Sequence, residues 1–430
     1  MNIQKHIRSL IEKQLISNGI PEEFPEEFAA LTERDLIVTP CKNRVDFTND
    51  KVFTIDSATC KDMDDAVEVH KTANGYQLTV HIADVASYIQ PGSSLDTLAF
   101  ERATSHYLPN LTIPMLPAIL SNDLCSLNPL VRRNTLSVVM EIDHLGNVIK
   151  SKIVKGIICS RVKGVYSEIN SILSGEASAV LLEKYSEVLD ELPAMVELYE
   201  ILHTNTINRG ADMENYEQPY ISYSESDIKL TPVSRGLAER MIEEYMIIAN
   251  ATVSRYMYDN DLPAIFRIQF DKQEMAEYQP MRIRHTSLQL TAYTHFTSPI
   301  RRICDTKIHQ ILSMHIEGYT NEEIHEVFDE TLFDICERAT KKSRTAKQVQ
   351  QAIAKICYNL YFQLHPGKEF TGRMVSWNRN QKPILRIDGL NVHVIGYNTN
   401  GTSDIGNRFA FSVYASNNAM YANGIQLLAA

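Results

Sequence analysis

The stretch that decides the fold runs from residue 51 to residue 84 and reads "KVFTIDSATCKDMDDAVEVHKTANGYQLTVHIAD". Its first six residues predict a strand. The part after residue 65 alternates apolar and polar residues on both sides of Asn74-Gly75, which is a strong signal for a β-hairpin. Four carboxylates lie at the end of the first strand and in the loop that follows: Asp56, Asp62, Asp64 and Asp65. The stretch therefore predicts a β-rich unit whose loop concentrates negative charge.

The chemistry of this aspartate cluster favours a metal site. A DxDD string alone is commonly solvated or caps a helix. The interpretation as a metal site therefore depends on the strands predicted on both sides of the string. Carboxylates held together raise one another's pKa unless cations neutralise them. Oxygen ligands without His or Cys favour Mg²⁺ or Mn²⁺, and the loop lacks the glycine and closing glutamate of a calcium EF-hand. Paired divalent ions serve phosphodiester hydrolysis, so the cluster predicts a metal-dependent phosphodiesterase.

The rest of the chain predicts an α+β fold with strands first and helices packed on them. Apolar residues near helical spacing predict an opening helix over 3–16. A second hairpin is expected to turn at 145–147. Further helices are expected over these segments: 175–207, 235–257, 299–316 and 320–363. After residue 370, short β-like segments broken by Asn, Gly, Ser and Thr suit a small five-stranded barrel such as an OB-fold.

These patterns divide the 430 residues into three predicted parts. Residues 1–43 are expected to form a short helical segment and linker, residues 44–365 the domain that carries the aspartate cluster, and residues 366–430 a small OB-fold-like barrel. A chain of this length is too long for one compact core, so two or three domains are the expectation.

Composition bounds the class of protein. No apolar run approaches the roughly 18–20 residues that a membrane span needs, and the N-terminus lacks the apolar core of a secretory signal. Seven scattered cysteines without a CxxC pair predict reduced thiols without a disulfide partner. The net charge of −11 argues against a protein that coats nucleic acid, but it fits an enzyme with a local basic channel. We expect a cytoplasmic monomer without membrane contact.

A second signature, "AYTHFTSPIRRICDTKIHQIL", spans residues 292–312. Ser298 before Pro299 predicts an N-cap followed by a first-turn proline. Arg301 would then lie in the first helical turn beside unpaired backbone N–H groups, which favours a phosphate ligand. Arg301, Asp305 and His309 are spaced four apart and would share one helix face. The alternative for this string is an Arg–Asp surface pair.

Five stretches in the same order identify a resemblance: "FTIDSATCKDMDDAVEV", "HIADVASYIQPGSSLD", "YLPNLTIPMLPAILSNDLCSLNP", "MIEEYMIIAN" and "YTHFTSPIRR". Over residues 44–312 the chain resembles the RNB catalytic domain of the ribonuclease II/R family, and its motifs look most like those of ribonuclease II. The resemblance implies that residues 44–365 form an RNB-like catalytic domain with a mixed or antiparallel sheet and packed helices. It implies that residues 366–430 form a small OB-fold-like RNA-binding domain. It also implies 3′→5′ hydrolysis of single-stranded RNA to nucleoside 5′-monophosphates, with Mg²⁺ or substituting Mn²⁺ in a two-metal-type mechanism.

The resemblance also assigns roles to residues. Asp56, Asp62, Asp64 and Asp65 would form the catalytic metal site. Arg301 would contact the scissile phosphate, Arg302 the neighbouring backbone, and Tyr107 would stack on the base at the 3′ end, which is sequence-tolerant. Glu243 matches a residue that touches the terminal nucleotide, and Asn250 lies on the same helical face. His295 serves either structural support or substrate contact.

The chain departs from the family pattern at its front and in its middle. About 50 residues precede the aspartates, whereas the family usually begins with two OB-type cold-shock domains. We therefore expect a reduced entrance for RNA. The segment between Arg267 and Tyr293 is shorter than in close family members, which is expected to open the channel wall or remove a helix.

The late helix departs too, because Gln348, Gln350 and Gln351 stand where the family often places an acid. Trp377 in the barrel segment either stacks on a base or fills the barrel. The densest basic run is either a solvated helix face or a phosphate-tracking strip, and its members are Arg338, Lys341, Lys342, Arg344 and Lys347.

Two other functions stay open at this point. One is an RNA-binding regulator with weak turnover, against which the retained aspartates and Arg301 argue. The other is a phosphodiesterase restricted to short oligonucleotides.

Overall fold

A computed structural model of the chain describes residues 2–38, 41, 43–212, 219–233, 235–396, 404–416 and 419–428. The helices are α1 Ile3–Ser17, α2 Glu26–Ala29, α3 Ser94–Arg102, α4 Tyr166–Leu173, α5 Ala179–Lys184, α6 Leu192–Asn208, α7 Leu237–Asp259, α8 Ile303–Glu317 and α9 Asn321–Leu364. Short 3₁₀ turns cover Glu33–Asp35 and Val85–Ser87, and a π-helical turn covers Ile119–Leu124. In the part of the chain just defined, no helix has the length and apolar character needed to cross a membrane.

The strands of the first three hundred residues are β1 Val45–Phe47, β2 Thr54–Asp56, β3 Asp65–Thr72, β4 Gly75–Ala83, β5 His106–Leu108, β6 Leu111–Ile113, β7 Arg132–Asp143, β8 Val148–Cys159, β9 Lys163–Val165, β10 Tyr220–Tyr223, β11 Ile228–Thr231, β12 Phe266–Ile268 and β13 Glu277–Gln279. The last five are β14 Glu369–Trp377, β15 Pro383–Ile387, β16 His393–Gly396, β17 Arg408–Ser416 and β18 Ala419–Leu427.

A mixed five-stranded sheet in the order β1-β8-β7-β4-β3 forms the centre of the N-terminal part. Both predicted hairpins are confirmed, as β3–β4 and β7–β8 pair antiparallel across short turns. Gly75 follows the first turn with φ +144°, and a Cβ there would lie 2.1 Å from the carbonyl oxygen of Ile142 on β7. Glycine at this position therefore lets β4 approach β7.

Helices pack on this sheet, which confirms the α+β class. The sheet contributes fully buried apolar side chains such as Leu78, Val80 and Ile82 of β4, as expected where a strand is buried on its core face. Helix α6 contacts β3, α7 contacts β4 and β8, and α8 contacts β8. The opening helix, α7 and α9 agree with the sequence prediction within a few residues. The helix predicted over 175–207 is instead divided into α5 and α6 by turns at 185–191.

A second apolar core joins α1 to the C-terminal half of α9 and to the barrel. The buried face of α1, with Ile7 and Ile11, belongs to the same cluster as Val349 and Ile353 of α9. Burial of each such side chain stabilises the folded state by about 1.5–3 kcal/mol. The opening segment is thus part of a core that it shares with the end of the chain, and the division into three parts stays a prediction.

The predicted C-terminal barrel is confirmed as a closed barrel with the order β14-β15-β16-β18-β17. Its residues 397–403, 417–418 and 429–430 lie outside the described part of the chain. Buried side chains include Leu385 and Phe411, whereas Trp377 is 49% exposed at the end of β14. Trp377 therefore does not fill the barrel, and the other option, a surface aromatic able to stack, agrees with its position.

One helix boundary was predicted wrongly. Helix α8 begins at Ile303 with Arg302 as its N-cap, so Ser298 is not the cap and Arg301 is not in the first helical turn. The backbone of 301–303 instead lies beside residues 103–105, with Ile303 N–H bonded to the Ala103 carbonyl and Ser105 N–H to the Arg301 carbonyl. This pairing holds the chain extended at Arg302, where φ is −140°. A tertiary contact therefore overrides the local helix-start signal.

Candidate active site

The aspartate loop connects β2 to β3, and its backbone is hydrogen-bonded to Ser126. Asp56 ends β2, which pairs in parallel with β9, and Asp65 begins β3. Between them the Ser126 hydroxyl accepts a hydrogen bond from the Met63 N–H at 3.1 Å and donates one to the Lys61 carbonyl at 2.9 Å. Met63 is buried. These hydrogen bonds therefore fix the backbone of the loop at residues 61–63.

Asp64 joins the two sequence signatures. Its Oδ1 accepts the backbone N–H of Ile300 at 2.8 Å, and its Oδ2 accepts Nε of Arg301 at 3.2 Å, across 237 residues of chain. The Asp64 side chain is 3% exposed and the Arg301 side chain 40%. Arg301 also donates from Nη2 to the Ser298 hydroxyl at 2.7 Å. The guanidinium is therefore anchored on two sides and still faces solvent.

Asp62 and Tyr107 make the second contact between separate parts of the chain. The Tyr107 hydroxyl donates to Oδ2 of Asp62 at 2.6 Å, and the tyrosine side chain stays partly exposed. Burial and the nearby Asp62 carboxylate raise the pKa of the Tyr107 phenol, so it stays a protonated donor. The ring is therefore held beside Asp62, and the residue stays 41% exposed.

The surroundings of the clustered carboxylates disfavour their negative charge. Burial raises the pKa of Asp56, Asp64 and Asp65 above the usual range of aspartate, and neighbouring carboxylates raise all three further. Oδ2 of Asp56 is buried without a hydrogen-bond partner. A buried unpaired carboxylate oxygen is costly unless a cation or donor reaches it. The donor chemistry and this unpaired oxygen fit a hard divalent cation.

The aspartates do not form a ready-made ligand cage. Within the described ranges, no group of three or more His, Cys, Asp or Glu side chains is arranged to hold a metal ion. The hydrogen bonds of Asp62 to Tyr107 and of Asp64 to Ile300 and Arg301 direct these carboxylates elsewhere. The assignment of the four aspartates as ligands therefore stays a prediction, and binding would require some of these side chains to reorient.

Arg302 forms an ion pair with Asp305. Its Nε and Nη2 donate to the two carboxylate oxygens of Asp305 at 3.0 and 2.6 Å. Oδ1 of Asp305 also accepts the Ser298 N–H at 2.8 Å. This bidentate pair, which is strong and directional, shapes the turn that presents Arg301. His309, one turn further along α8, is fully buried and bonds the Phe296 carbonyl.

Asn250 and His295 support the same turn. The Asn250 amide accepts the Phe296 N–H at 2.8 Å and donates to the Tyr293 hydroxyl at 3.0 Å, and the residue is buried. Nδ1 of His295 lies 2.8 Å from the Tyr278 hydroxyl. Burial and nearby arginines lower the pKa of His295 well below its usual value, so the ring is neutral at pH 7. Both residues are placed to position the 293–302 segment.

Glu243 lies apart from these contacts. It pairs with Arg235 at 2.7 Å, and both side chains are one-third exposed. The adjacent Glu244 is buried and accepts from the Thr206 hydroxyl at 2.7 Å. Glu243 is therefore the solvent-facing glutamate of the "MIEEY" stretch, as a substrate contact requires, and this role stays a prediction.

Two further residues lie near the aspartates, and the sequence patterns did not predict this proximity. Tyr166 follows β9, whose pairing with β2 brings it near Asp56 and Asp65, and burial beside these carboxylates raises its pKa. Cys60 lies 3.6 Å from Oδ1 of Asp62, measured from Sγ. Nothing local marks Tyr166, because it is the pairing of β2 with a strand more than a hundred residues later that places it there.

The basic run on α9 is partly engaged with the protein. Arg338 donates to the carbonyls of Phe100 and Glu101 at the end of α3, and Arg344 pairs with Glu277 at 3.0 Å. Lys341 and Lys347 are exposed. Arg338 thus acts as a cap for α3, and this run is a less uniform cationic strip than its sequence indicates.

A cavity of about 630 Å³ opens beside Asp62 and Tyr107. Its walls are the aspartate loop, the β5–β6 hairpin, the start of β10 and the C-terminal half of α9. The β5–β6 hairpin is tied to β10 by the Asn110 amide, which donates to the Tyr223 carbonyl at 2.9 Å. Of the four aspartates, Asp62 is the one that lines this cavity.

Comparison with known proteins agrees with this architecture. Residues 44–277 and 270–318 match the family described as RNB domain. Ribonuclease R 1 of Lactococcus lactis is 33% identical over 425 residues, covering 85% of this chain and 52% of that protein. The chain thus spans about half the length of this curated relative. The expected closeness to ribonuclease II in particular stays a prediction.

Solved structures share the fold. The Mycoplasma genitalium RNase R in complex with ribose methylated single-stranded RNA has a TM-score of 0.83 at 22% identity, over 98% of this chain and 78% of that one. Yeast Ssd1, described as a pseudonuclease, has a TM-score of 0.70 at 19% identity, over 90% of this chain and 55% of that one. At these identities the likeness concerns the fold alone. The family match over residues 44–318, together with the 33% identity to Ribonuclease R 1, shows that the chain belongs to the RNB-domain family.

Proposed function

We propose that the chain is a metal-dependent exoribonuclease that hydrolyses single-stranded RNA from its 3′ end and releases nucleoside 5′-monophosphates. The observation that carries this proposal is the Asp64–Arg301 contact at 3.2 Å, which brings together the acidic loop and the arginine turn. Asp62 of the same loop lines the cavity. Family membership and relatives named ribonuclease R support the choice of RNA as substrate.

The four aspartates are the proposed holders of Mg²⁺, or of Mn²⁺ in its place. Bound divalent ions supply an activated water and stabilise the leaving oxygen in a two-metal-type hydrolysis. Arg301, fixed by Asp64 and Ser298 but still exposed, presents its remaining N–H groups to the charge on the phosphate. Tyr107 offers its ring to the terminal base while its hydroxyl holds Asp62.

The barrel is proposed as a second RNA contact. Trp377 is exposed and able to stack on a base. Asp388 pairs with Arg408 at 2.7 Å and lies 3.9 Å from Arg373, so these two arginines are already partly neutralised. Stacking rather than charge should therefore dominate RNA binding by this part of the chain.

The test follows the length of a 5′-labelled oligoadenylate of about 30 nucleotides in Mg²⁺, in EDTA and with the Asp64→Asn variant. We expect stepwise shortening by the wild type in Mg²⁺ only, with nucleoside 5′-monophosphates as products. The Asp64→Asn variant should keep RNA binding and lose shortening by at least about a hundredfold, a loss typical of removing one charge-stabilising group.

The same experiment separates the two alternatives. RNA binding without any shortening would favour an RNA-binding regulator. Yeast Ssd1, which has a similar fold, is described as a pseudonuclease. Degradation of pentamers without degradation of the long oligomer would favour a phosphodiesterase restricted to short oligonucleotides.

A further inference from the structure

Another cavity, called here the α7–α9 groove, has a volume of about 660 Å³ and lies between the end of α7 and the N-terminal half of α9. The loop after α7 and two residues that follow β13, Pro280 and Arg282, form its other walls. Its described lining contains none of the four aspartates and no residue of the 298–302 turn. The α7–α9 groove is therefore separate from the candidate active site.

Large apolar side chains are exposed around this groove. Tyr258 and Phe333, which line it, are 56% and 61% exposed, and Met281, between Pro280 and Arg282, is 60% exposed. Cζ of Arg282 lies 4.2 Å from the centroid of the Tyr258 ring, in a cation–π contact. Aromatic residues, Met and Arg are enriched in protein interfaces, and apolar residues clustered on a surface mark sites of interaction. The groove thus has the composition of a protein-binding surface.

The part of α9 that borders the groove is strongly acidic. Residues 321–335 contain no Lys or Arg and six exposed carboxylates, which are Glu322, Glu323, Glu326, Asp329, Glu330 and Asp334. In the part of the chain that the structure describes, Asp329 alone among these six forms an ion pair, with His325 at 3.0 Å. The apolar groove is therefore bordered by negative charge that the protein itself leaves largely uncompensated.

This charge decides which occupant the groove suits. RNA carries a negative charge at every phosphate, so the carboxylates would repel it. A second copy of the chain in a two-fold interface would bring the acidic part of α9 against itself, and like charges that face one another disfavour association. A basic segment of another protein would instead place its Lys or Arg side chains opposite the carboxylates and its apolar side chains in the groove.

We propose that the α7–α9 groove binds a basic segment of a partner protein, in which apolar side chains lie between the Lys and Arg residues. Tyr258 and Phe333 contact the apolar side chains of this segment, and the carboxylates of Asp329 and Glu330 attract its cations. The proposal goes beyond the proposed function and does not depend on it, because the groove and the candidate active site have separate linings.

The test measures binding of a fluorescein-labelled peptide to the full chain by fluorescence anisotropy. The peptide is a short amphipathic sequence of lysine, leucine and tryptophan. One control peptide has glutamate in place of every lysine, and a second has serine in place of every leucine and tryptophan. Because RNA shortening is not part of the readout, failure of the proposed exoribonuclease activity leaves this test unaffected.

Two variants address the two properties of the groove. Phe333→Ala removes an exposed apolar contact, and its matched control is Val180→Ala, which truncates an exposed valine of α5. Glu330→Lys reverses a charge beside the groove, and its matched control is Glu183→Lys, which makes the same change at an exposed glutamate of α5. Thermal unfolding checks that the wild type and the four variants are folded.

We expect the wild type to bind the basic apolar peptide at least about tenfold tighter than either control peptide, because cations and apolar side chains both contribute. Phe333→Ala should weaken this binding by about tenfold, a loss typical of an aromatic hot spot. Glu330→Lys should weaken it by about fivefold, since an attraction becomes a repulsion. Val180→Ala and Glu183→Lys should stay within about twofold of wild type, as exposed substitutions elsewhere usually do.

Three kinds of result overturn the proposal. The first is no binding of the basic apolar peptide, or equal binding of a control peptide. The second is a loss in Phe333→Ala or Glu330→Lys that is no larger than the loss in its matched control. The third is a different occupant. Binding of a labelled oligoadenylate that Phe333→Ala weakens would assign the groove to RNA. Self-association in sedimentation that Phe333→Ala removes would assign it to a second copy of the chain.

Discussion

The hydroxyl of Tyr107 lies 2.6 Å from Oδ2 of Asp62 and donates a hydrogen bond to it. The contact distinguishes two proposed functions of Tyr107: its ring would stack on RNA, and its hydroxyl holds Asp62, a proposed metal ligand. Asp62 is the aspartate that also borders the cavity. The two functions are separable by mutation because phenylalanine keeps the ring and removes the hydroxyl.

Replacing Tyr107 by Phe should therefore leave RNA binding in EDTA within about twofold of wild type. Replacement by Ala should weaken it by about 10-fold or more, since loss of one base–aromatic stack costs roughly 1–3 kcal/mol. Fluorescence anisotropy with a labelled oligomer measures both. Equal losses in the two variants would show that the hydroxyl, and not the ring, supports binding.

Arg301 should not be replaceable by lysine. Its guanidinium bonds Asp64 and Ser298 at once, a fork that an ammonium group does not reproduce. We expect Arg301→Lys to lower the rate of RNA shortening by about 10- to 100-fold, as losing a charge-assisted hydrogen bond costs roughly 1.5–3 kcal/mol. Single-turnover hydrolysis measures the rate. A variant at Arg255, an exposed arginine of α7, is the control and should retain the wild-type rate.

The buried Lys307–Asp96 pair should be important for stability. Nζ of Lys307 contacts both Asp96 oxygens, at 2.6 and 2.7 Å, and ties α8 to α3. Lys307→Met leaves the buried Asp96 carboxylate without its cation. We therefore expect the free energy of unfolding to decrease by about 3–5 kcal/mol. Denaturant unfolding of this variant and of the Lys307→Met/Asp96→Asn double variant measures the effect. The double variant should recover more than half of the loss, and failure to recover would place the cost in packing instead of charge.

His309 should make stability depend on pH. Burial lowers its pKa to about 4, with Lys155 acting in the same direction and Asp84 and Asp305 opposing it. The folded state therefore keeps the ring neutral, while the unfolded chain protonates it below its ordinary pKa of about 6.5. Stability from this group is complete above about pH 6.5 and decreases as the pH falls toward 4.

Between pH 7 and pH 5 this linkage amounts to about 2 kcal/mol. The His309→Gln variant keeps a donor for the Phe296 carbonyl without a titrating ring. The difference in unfolding free energy between pH 7 and pH 5, measured for both proteins, should be smaller in the variant by about that amount. An identical pH dependence in the two proteins would exclude His309 as its source.

Gly75 should tolerate no side chain. An added Cβ would lie 2.1 Å from the Ile142 carbonyl oxygen, so Gly75→Ala requires β4 and β7 to separate and should prevent stable folding at 37 °C. Gly92→Ala is the matched control, because Gly92 also has a positive φ but nothing within 4 Å of an added Cβ. It should cost only about 1–2 kcal/mol of left-handed backbone strain. Thermal unfolding of both variants gives the comparison.

The sequence by itself determined the elements whose causes are local. The β3–β4 and β7–β8 hairpins follow from alternating polarity and turn residues, which act over a few positions. The barrel and the long helices follow from patterns of the same kind. The acidic loop was recognisable because four carboxylates so close together require a chemical reason.

Only the tertiary structure decided how these parts meet. The contact of Asp64 with Arg301 spans 237 residues, and Tyr166 reaches the aspartates only through the pairing of β9 with β2. Helix α8 begins at Ile303 and not at the predicted residue 299, because residues 103–105 pair with the backbone that precedes the helix. Such contacts depend on which surfaces the whole chain buries together, and no window of sequence contains that information.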